Sequence, residues 1–171
     1  MAVIIFFWQF NKSNMNEINN MVKQLTDLQH GDSWIGINFK EALHEINAAT
    51  AVKKISAGSN SIWQLTNHII YWRNTVVNRL NGSNDKPPFA DFLLPDILDE
   101  VHWRQTLHDF EMAYHQLRSA IHGVKEDQLH HASVKARQTN FDLIIGSLQH
   151  DAYHLGQIVL LKKITLQQSL D

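Results

Sequence analysis

The sequence of 171 residues contains no cysteine, only three prolines and only seven glycines. Without cysteine there is no disulfide framework and no thiol of the protein's own, so any thiol chemistry must use an external thiol. The lack of disulfides also fits a reducing compartment, and we expect a cytoplasmic protein. No P-loop, GxGxxG or GxSxG pattern is present, and no strand-like alternation of apolar and polar residues persists.

The sequence also lacks a strong excess of positive or negative charge, and it lacks a long apolar run. The net charge is -2 with a pI of about 6.6, and the 15 Lys and Arg residues are thinly spread. Nucleic-acid binding needs a clustered basic face, so we expect no nucleic-acid partner. The apolar run from Val3 to Trp8 is too short to span a bilayer, so no membrane partner is expected. We interpret residues 1–14 as an apolar N-terminal extension that packs on the body or on a neighbouring chain, unless translation begins at Met15.

What the sequence does contain is helical periodicity of apolar residues from Met15 onward. It predicts an all-α domain at residues 15–165, a four-helix bundle with short accessory helices, followed by a tail at 166–171. The predicted elements are helices from Met15 to His30, Phe39 to Ala51, Ser61 (N-cap) to Asn81, and Asp96 to Ile121, a single turn at Lys125 to Leu129, and a helix from Thr139 or Asn140 to about Ile164. The segment from Ser83 to Pro95 holds all three prolines and is predicted to be a loop that crosses from one end of the bundle to the other.

The final helix carries two histidines, His150 and His154, separated by one helical turn. Apolar residues also occupy most of the opposite surface, which predicts a central helix with no solvated side. Two imidazoles at this spacing can bind one metal ion. Eleven histidines make such a pair common by chance, and two hydrogen-bonded core histidines are an equally good interpretation of the spacing. Both interpretations remain open at this level.

The other histidines are less informative. His68 lies at the margin of the core stripe of its helix, where a half-buried structural histidine is the ordinary interpretation. His108, His115 and His122 recur every seven residues on the flank of the preceding helix, over 100° from its core stripe. Neighbours in that row are about 10 Å apart along the axis, too far to share a metal. We predict that these three face solvent.

Two segments together resemble a known family. Ser61-Ile-Trp-Gln-Leu-Thr-Asn-His68-Ile-Ile-Tyr-Trp72 is followed much later by Gln149-His150-Asp-Ala-Tyr-His154-Leu-Gly-Gln157-Ile. In this order and separation they resemble the DinB/YfiT-like superfamily, over roughly Met15 to Lys163. The resemblance implies an up-down-down-up four-helix bundle. It also implies one divalent metal ion, zinc or nickel, bound by His68, His150 and His154.

The resemblance also sets the functional expectations. It implies a metal-dependent transferase that joins a low-molecular-weight thiol to an electrophilic small-molecule substrate, and a homodimer. The alternatives are a metal-dependent hydrolase that uses metal-bound water, and a non-catalytic metal- or ligand-binding bundle in a stress response. Gln157 either orients His154 or hydrogen-bonds a ligand, or it serves helix packing beside Gly156. No catalytic residue is assigned beyond these.

Overall fold

The computed structural model describes residues 17–134 and 137–167. Within these ranges the chain is all-helical and has no strand, apart from one isolated bridge between Ala132 and Thr139. The predicted extension at residues 1–14 lies outside the described residues. None of the described helices has an apolar stretch long enough to cross a bilayer. The elements in chain order are α1 (Glu17–His30), α2 (Phe39–Leu43), α3 (Ala48–Ala51), α4 (Ile62–Leu80), α5 (Glu100–Gly123), a 3-10 helix (Glu126–Gln128) and α6 (Asn140–Gln167).

Helices α4 and α5 run in the same direction. Near their N-termini the Trp63 and Trp103 rings pack together with centroids 5.2 Å apart. Further along, an Nη of Arg73 on α4 donates to the carbonyl oxygen of Phe110 on α5 at 3.3 Å. Parallel neighbours need a connection that returns along the bundle, and residues 81–99 provide it. The predicted crossover loop is therefore confirmed.

Helix α6 runs against α4. The ring of His68 faces that of His154, with centroids 4.6 Å apart. Five residues later on α4, Arg73 forms an ion pair with Asp151, which precedes His154 on α6. Residues later on α4 therefore contact residues earlier on α6, so the two helices are antiparallel.

Helix α1 runs against α5, which completes the topology. The hydroxyl groups of Thr26 and Tyr114 are 3.2 Å apart, and the side-chain amide of Gln29 donates to Glu111 at 2.8 Å. Since α4 and α5 share one direction, α1 and α6 share the other. The four long helices form an up-down-down-up bundle, as the family resemblance implied.

The starts of α4 and α5 follow from their capping residues. Ser61 is the N-cap of α4, as the sequence predicted, and it forms a capping box with Gln64. Helix α5 begins later than predicted, because Asp99 rather than Asp96 is its N-cap. The Asp99 carboxylate accepts a hydrogen bond from the backbone N–H of His102 at 2.9 Å, which fixes the first turn at Glu100.

The single helix predicted from Phe39 to Ala51 is wrong, since the structure has two short helices there. Glu45, between them, has a φ of +63°, a left-handed conformation that an α-helix does not contain. The side chain of Asn47 then accepts from the backbone N–H of Thr50 and starts α3. The left-handed residue and the new N-cap thus divide into two helices a segment whose apolar periodicity predicts one.

The prediction that α6 has no solvated side is also wrong. One edge of the helix is exposed along its length, including Gly146, Tyr153 and Leu160. The neighbours α1, α2, α3 and α4 cover the rest of its circumference. The helix also continues to Gln167, beyond the predicted end at Ile164. This open edge gives solvent a route to side chains on the adjacent stripe.

A buried ion pair lies inside the bundle between α4 and α6. Arg73 is 0% exposed and Asp151 is 1% exposed. The guanidinium donates to Asp151 Oδ2 from Nε at 3.0 Å and from Nη2 at 2.9 Å. Nη2 also donates to Gln29 at 2.9 Å, and the guanidinium lies 4.3 Å from the centroid of the Phe110 ring. This network joins α1, α4, α5 and α6 at one point, and the sequence did not predict it.

Candidate metal centre

The antiparallel helices α4 and α6 bring His68, His150 and His154 together. One ring nitrogen from each histidine lies within 4.8 Å of the others, and Nε2 of His68 is 3.0 Å from Nε2 of His150. Among the residues that the structure describes, these histidines are the one group of three or more His, Cys, Asp or Glu side chains placed so that they could bind a single metal ion. The three residues named by the family resemblance therefore converge, although 82 positions separate His68 from His150.

The crossover loop holds the ring of His68. Nδ1 of His68 lies 2.5 Å from Oδ1 of Asp91, and the Phe92 ring stacks on the imidazole with centroids 3.9 Å apart. A carboxylate only accepts hydrogen bonds, so Nδ1 carries the proton and Nε2 keeps its lone pair for the site. Carboxylate–histidine pairs of this kind accompany metal-binding histidines and fix their tautomer.

Gln157 has the same role toward His154. Its side-chain oxygen lies 2.7 Å from Nδ1 of His154, so that Nδ1–H donates to it and Nε2 is left free. This contact agrees with the interpretation of Gln157 as a residue that orients His154. His150 differs from the other two, because its Nδ1 is 3.9 Å from Oδ1 of Asp151, too far for a hydrogen bond.

The surroundings keep two of the three imidazoles neutral. The pKa of His154 is lowered to about 4, mainly by burial and to a smaller extent by the neighbouring His150 and His68, while Gln157 and Asp151 oppose part of the shift. Burial also lowers the pKa of His68, and the adjacent Asp91 opposes only part of that shift. Since metal ligation requires the neutral imidazole, both rings are in the binding form at neutral pH.

The three histidines form one end of a cleft between α4 and α6. Its volume is about 420 Å³, and its walls include Trp72, Val76, Arg79, Leu143 and Gly146. Gly146 belongs to the exposed edge of α6, and a Cβ added there would meet no atom within 4 Å. A larger cavity of about 590 Å³ lies elsewhere, but the converging histidines are not among its lining residues. We therefore take the smaller cleft as the candidate site, because the converging histidines line it.

These residues fit a divalent metal ion such as zinc or nickel. The donors are three imidazole nitrogens, which suit both ions. Two of the rings have acceptors at Nδ1, which leaves their Nε2 atoms available to a metal ion. Catalytic zinc sites typically have three protein ligands and an open position, whereas structural sites are closed by four. A three-histidine group beside a cleft corresponds to the open kind.

The row of histidines on α5 behaves as predicted. His108, His115 and His122 are all exposed. His115 lies 3.3 Å from Glu111 on its own helix, and none of the three belongs to the group of potential ligands. The solvent-facing interpretation of this row is confirmed.

The sequence did not predict the contribution of the crossover loop. Asp91 and Phe92 are 23 and 24 positions beyond His68 and belong to no helix. Their contacts depend on the path of the loop back over α4, which includes a φ of +54° at Phe92. An acidic residue in a loop long enough to return to His68 is the only local signal for them.

The comparisons with known proteins agree with this geometry. No curated protein and no solved structure matches the chain. A family model described as DinB superfamily matches residues 37–158, well over half of the 171 residues. The match includes all three histidines and the crossover loop, and the all-helical fold agrees with it. The chain therefore belongs to the DinB superfamily.

Proposed function

We propose that the protein binds one divalent metal ion, zinc or nickel, through His68, His150 and His154 and is a metal-dependent transferase. The reaction would join a low-molecular-weight thiol to a small electrophile. The observation that carries the proposal is the convergence of three histidine nitrogens within 4.8 Å at the end of a cleft. Because the chain has no cysteine, the thiol must come from a second small molecule.

The metal and the protein contribute different parts of the chemistry. A divalent ion at such a site lowers the pKa of a thiol or water molecule that it binds. Asp91 and Gln157 hold the Nδ1 protons of His68 and His154 and so keep the Nε2 lone pairs directed at the site. The apolar walls formed by Val76 and Leu143 restrict water around the electrophile. In the transfer, a sulfur–carbon bond forms, the leaving group departs with its electron pair and the thiol proton passes to solvent.

The test is a transfer assay on protein loaded with zinc or nickel. Free cysteine serves as the thiol and 1-chloro-2,4-dinitrobenzene as the chromogenic electrophile, followed by additional thiols and leaving groups. We expect thiol-dependent product formation that His150→Ala removes and His115→Ala does not. Metal-dependent product release without consumption of thiol would identify a hydrolase instead. Stoichiometric metal binding without turnover of any pair would identify a non-catalytic binding bundle.

Asp91 offers a separate test of the site through metal affinity. Asp91→Ala is expected to weaken metal binding by about 10–100-fold, because loss of an outer hydrogen-bond partner typically has that effect. The matched control is Asp96→Ala, an exposed aspartate in the same loop. Competition with a chromogenic chelator measures both affinities. Equal affinities in the two variants would contradict a role of Asp91 in orienting His68.

We also propose that the protein forms homodimers. Trp34 is fully exposed and Ile35 is about half exposed. Both line a pocket shared with Ala152 of α6, next to the exposed Tyr153. Large apolar side chains exposed beside a pocket are typical of an interaction surface. Light scattering should give twice the monomer mass for the wild type and the monomer mass for Trp34→Glu, with Val101→Glu on α5 as the exposed apolar control. A monomeric wild type would contradict the proposal.

A further inference from the structure

The wall of the cleft contains two hydrogen-bond donors with no acceptor among the described residues, one on Trp72 beside the histidines and one on Arg79 further along α4. Nε1 of Trp72 and Nε of Arg79 are both buried and make no hydrogen bond among the described residues, 17–134 and 137–167. Buried polar groups of folded proteins are nearly always paired. Two unpaired donors in the wall of one cleft therefore indicate a place where an external acceptor binds.

The position of Arg79 connects these donors to the candidate metal centre. Its guanidinium lies 5.8 Å from the centroid of the Trp72 ring. The Trp72 ring in turn lies 5.9 Å from the ring of His150 and 6.3 Å from that of His68. The cation, the indole and the imidazoles therefore follow one another along a single wall formed largely by α4.

The electrostatics of the cleft favour an anion. Burial lowers the pKa of Arg79, with a smaller opposing effect of Tyr71, yet a guanidinium stays protonated in proteins. The acidic residue among those lining the cleft is Asp142, and its Oδ2 already accepts from the N–H and the hydroxyl group of Thr139 at 2.8 Å each. A partly desolvated cation thus faces a cleft whose carboxylate has other partners.

We propose that the cleft binds a small molecule through a carboxylate, which accepts hydrogen bonds from Arg79 and Trp72. The planar carboxylate matches two N–H donors better than a neutral acceptor does. Val76 and Leu143 contact the apolar part of the molecule, and its other end faces the three histidines. Because both donor atoms are buried, the proposal requires the long Arg79 side chain to rotate away from the Trp72 ring when the carboxylate binds. The inference rests on the proposed function in one respect, since it takes the carboxylate compound to be the electrophile.

Binding of benzoate, with its neutral counterpart benzamide, tests the inference without turnover. Isothermal titration is carried out on zinc-loaded and metal-free protein, and zinc content is measured separately. We expect saturable benzoate binding that is at least about tenfold tighter than benzamide binding, because hydrogen bonds to charged groups typically contribute that much. Arg79→Gln should lose about 10–100-fold in benzoate affinity while its zinc content stays unchanged. Arg104→Gln, which alters an exposed arginine on α5, is the matched control and should bind benzoate like the wild type.

A second variant keeps the test valid if Arg79→Gln is poorly folded. Trp72→Phe replaces the indole by a smaller aromatic ring and removes the N–H, which makes no hydrogen bond among the described residues, so the variant should fold and should bind benzoate more weakly. Equal benzoate and benzamide affinities, unchanged affinity in both variants, or no saturable binding at millimolar benzoate would each overturn the inference. Arg79-dependent benzoate binding in a protein that binds no zinc would uphold it while contradicting the proposed function.

Discussion

Replacement of Asp151 by leucine is expected to lower the free energy of unfolding by about 3–5 kcal/mol, because it leaves a buried charge without its partner. Arg73 is 0% exposed, so water cannot replace the lost carboxylate. Gln29 and the Phe110 carbonyl would still accept hydrogen bonds from the guanidinium, but neither carries a charge. Urea denaturation of the wild type and the variant measures the difference.

Two further variants separate the buried pair from ordinary surface electrostatics. Arg104→Gln removes an exposed ion pair with Glu100, and such pairs contribute about 0–1 kcal/mol. The double variant Arg73→Met with Asp151→Leu removes both buried charges and should cost less than Asp151→Leu alone. If Asp151→Leu is no more destabilising than Arg104→Gln, the buried ion pair does not contribute as we infer.

The second large effect concerns the metal centre. His154→Ala is expected to lower the affinity for zinc by more than about 100-fold, since removal of an outer partner alone typically costs 10–100-fold. The two remaining imidazoles can no longer enclose the ion from three sides. Competition with a chelator gives the affinity, and elemental analysis gives the stoichiometry of the purified protein.

The controls for this prediction come from the same residue type. His115→Ala removes an exposed histidine of α5 that is outside the converging group, and it should bind zinc like the wild type. Circular dichroism should show a folded bundle in both variants, because His154→Ala removes a polar side chain from the interior rather than an apolar one. Zinc affinity equal to that of the wild type in His154→Ala would place any metal site elsewhere.

Local signals in the sequence were sufficient to predict most of the helices, whereas the up-down-down-up topology was implied by the family resemblance. Ser61 and Gln64 form a capping box, and such a pattern can be read from residues three apart. The helical periodicity of α4 and α6 likewise depends only on neighbours along the chain. The two short helices at Phe39–Leu43 and Ala48–Ala51 were missed because a left-handed Glu45 separates them, and nothing in the periodicity marks that residue.

The candidate site required more than local signals. The spacing of His150 and His154 is local and marked them as a possible ligand pair, with two hydrogen-bonded core histidines as an equally good interpretation. His68 could be added only through the family resemblance, because the packing of α4 against α6 brings it to a partner 82 positions away. Asp91 depends on the path of a loop. The ion pair between Arg73 and Asp151 was missed for the same reason, because only the packing of α4 against α6 brings the two charged side chains together.

The distance in sequence between His68 and the other two histidines has a consequence for the lifetime of the folded state. A metal ion can engage all three only after α4 and α6 have docked, and we expect this docking to be completed late in folding. Interactions absent from the folding transition state slow unfolding and leave the folding rate nearly unchanged. We therefore expect bound metal to lengthen the time that a molecule stays folded, without shortening the time it needs to fold.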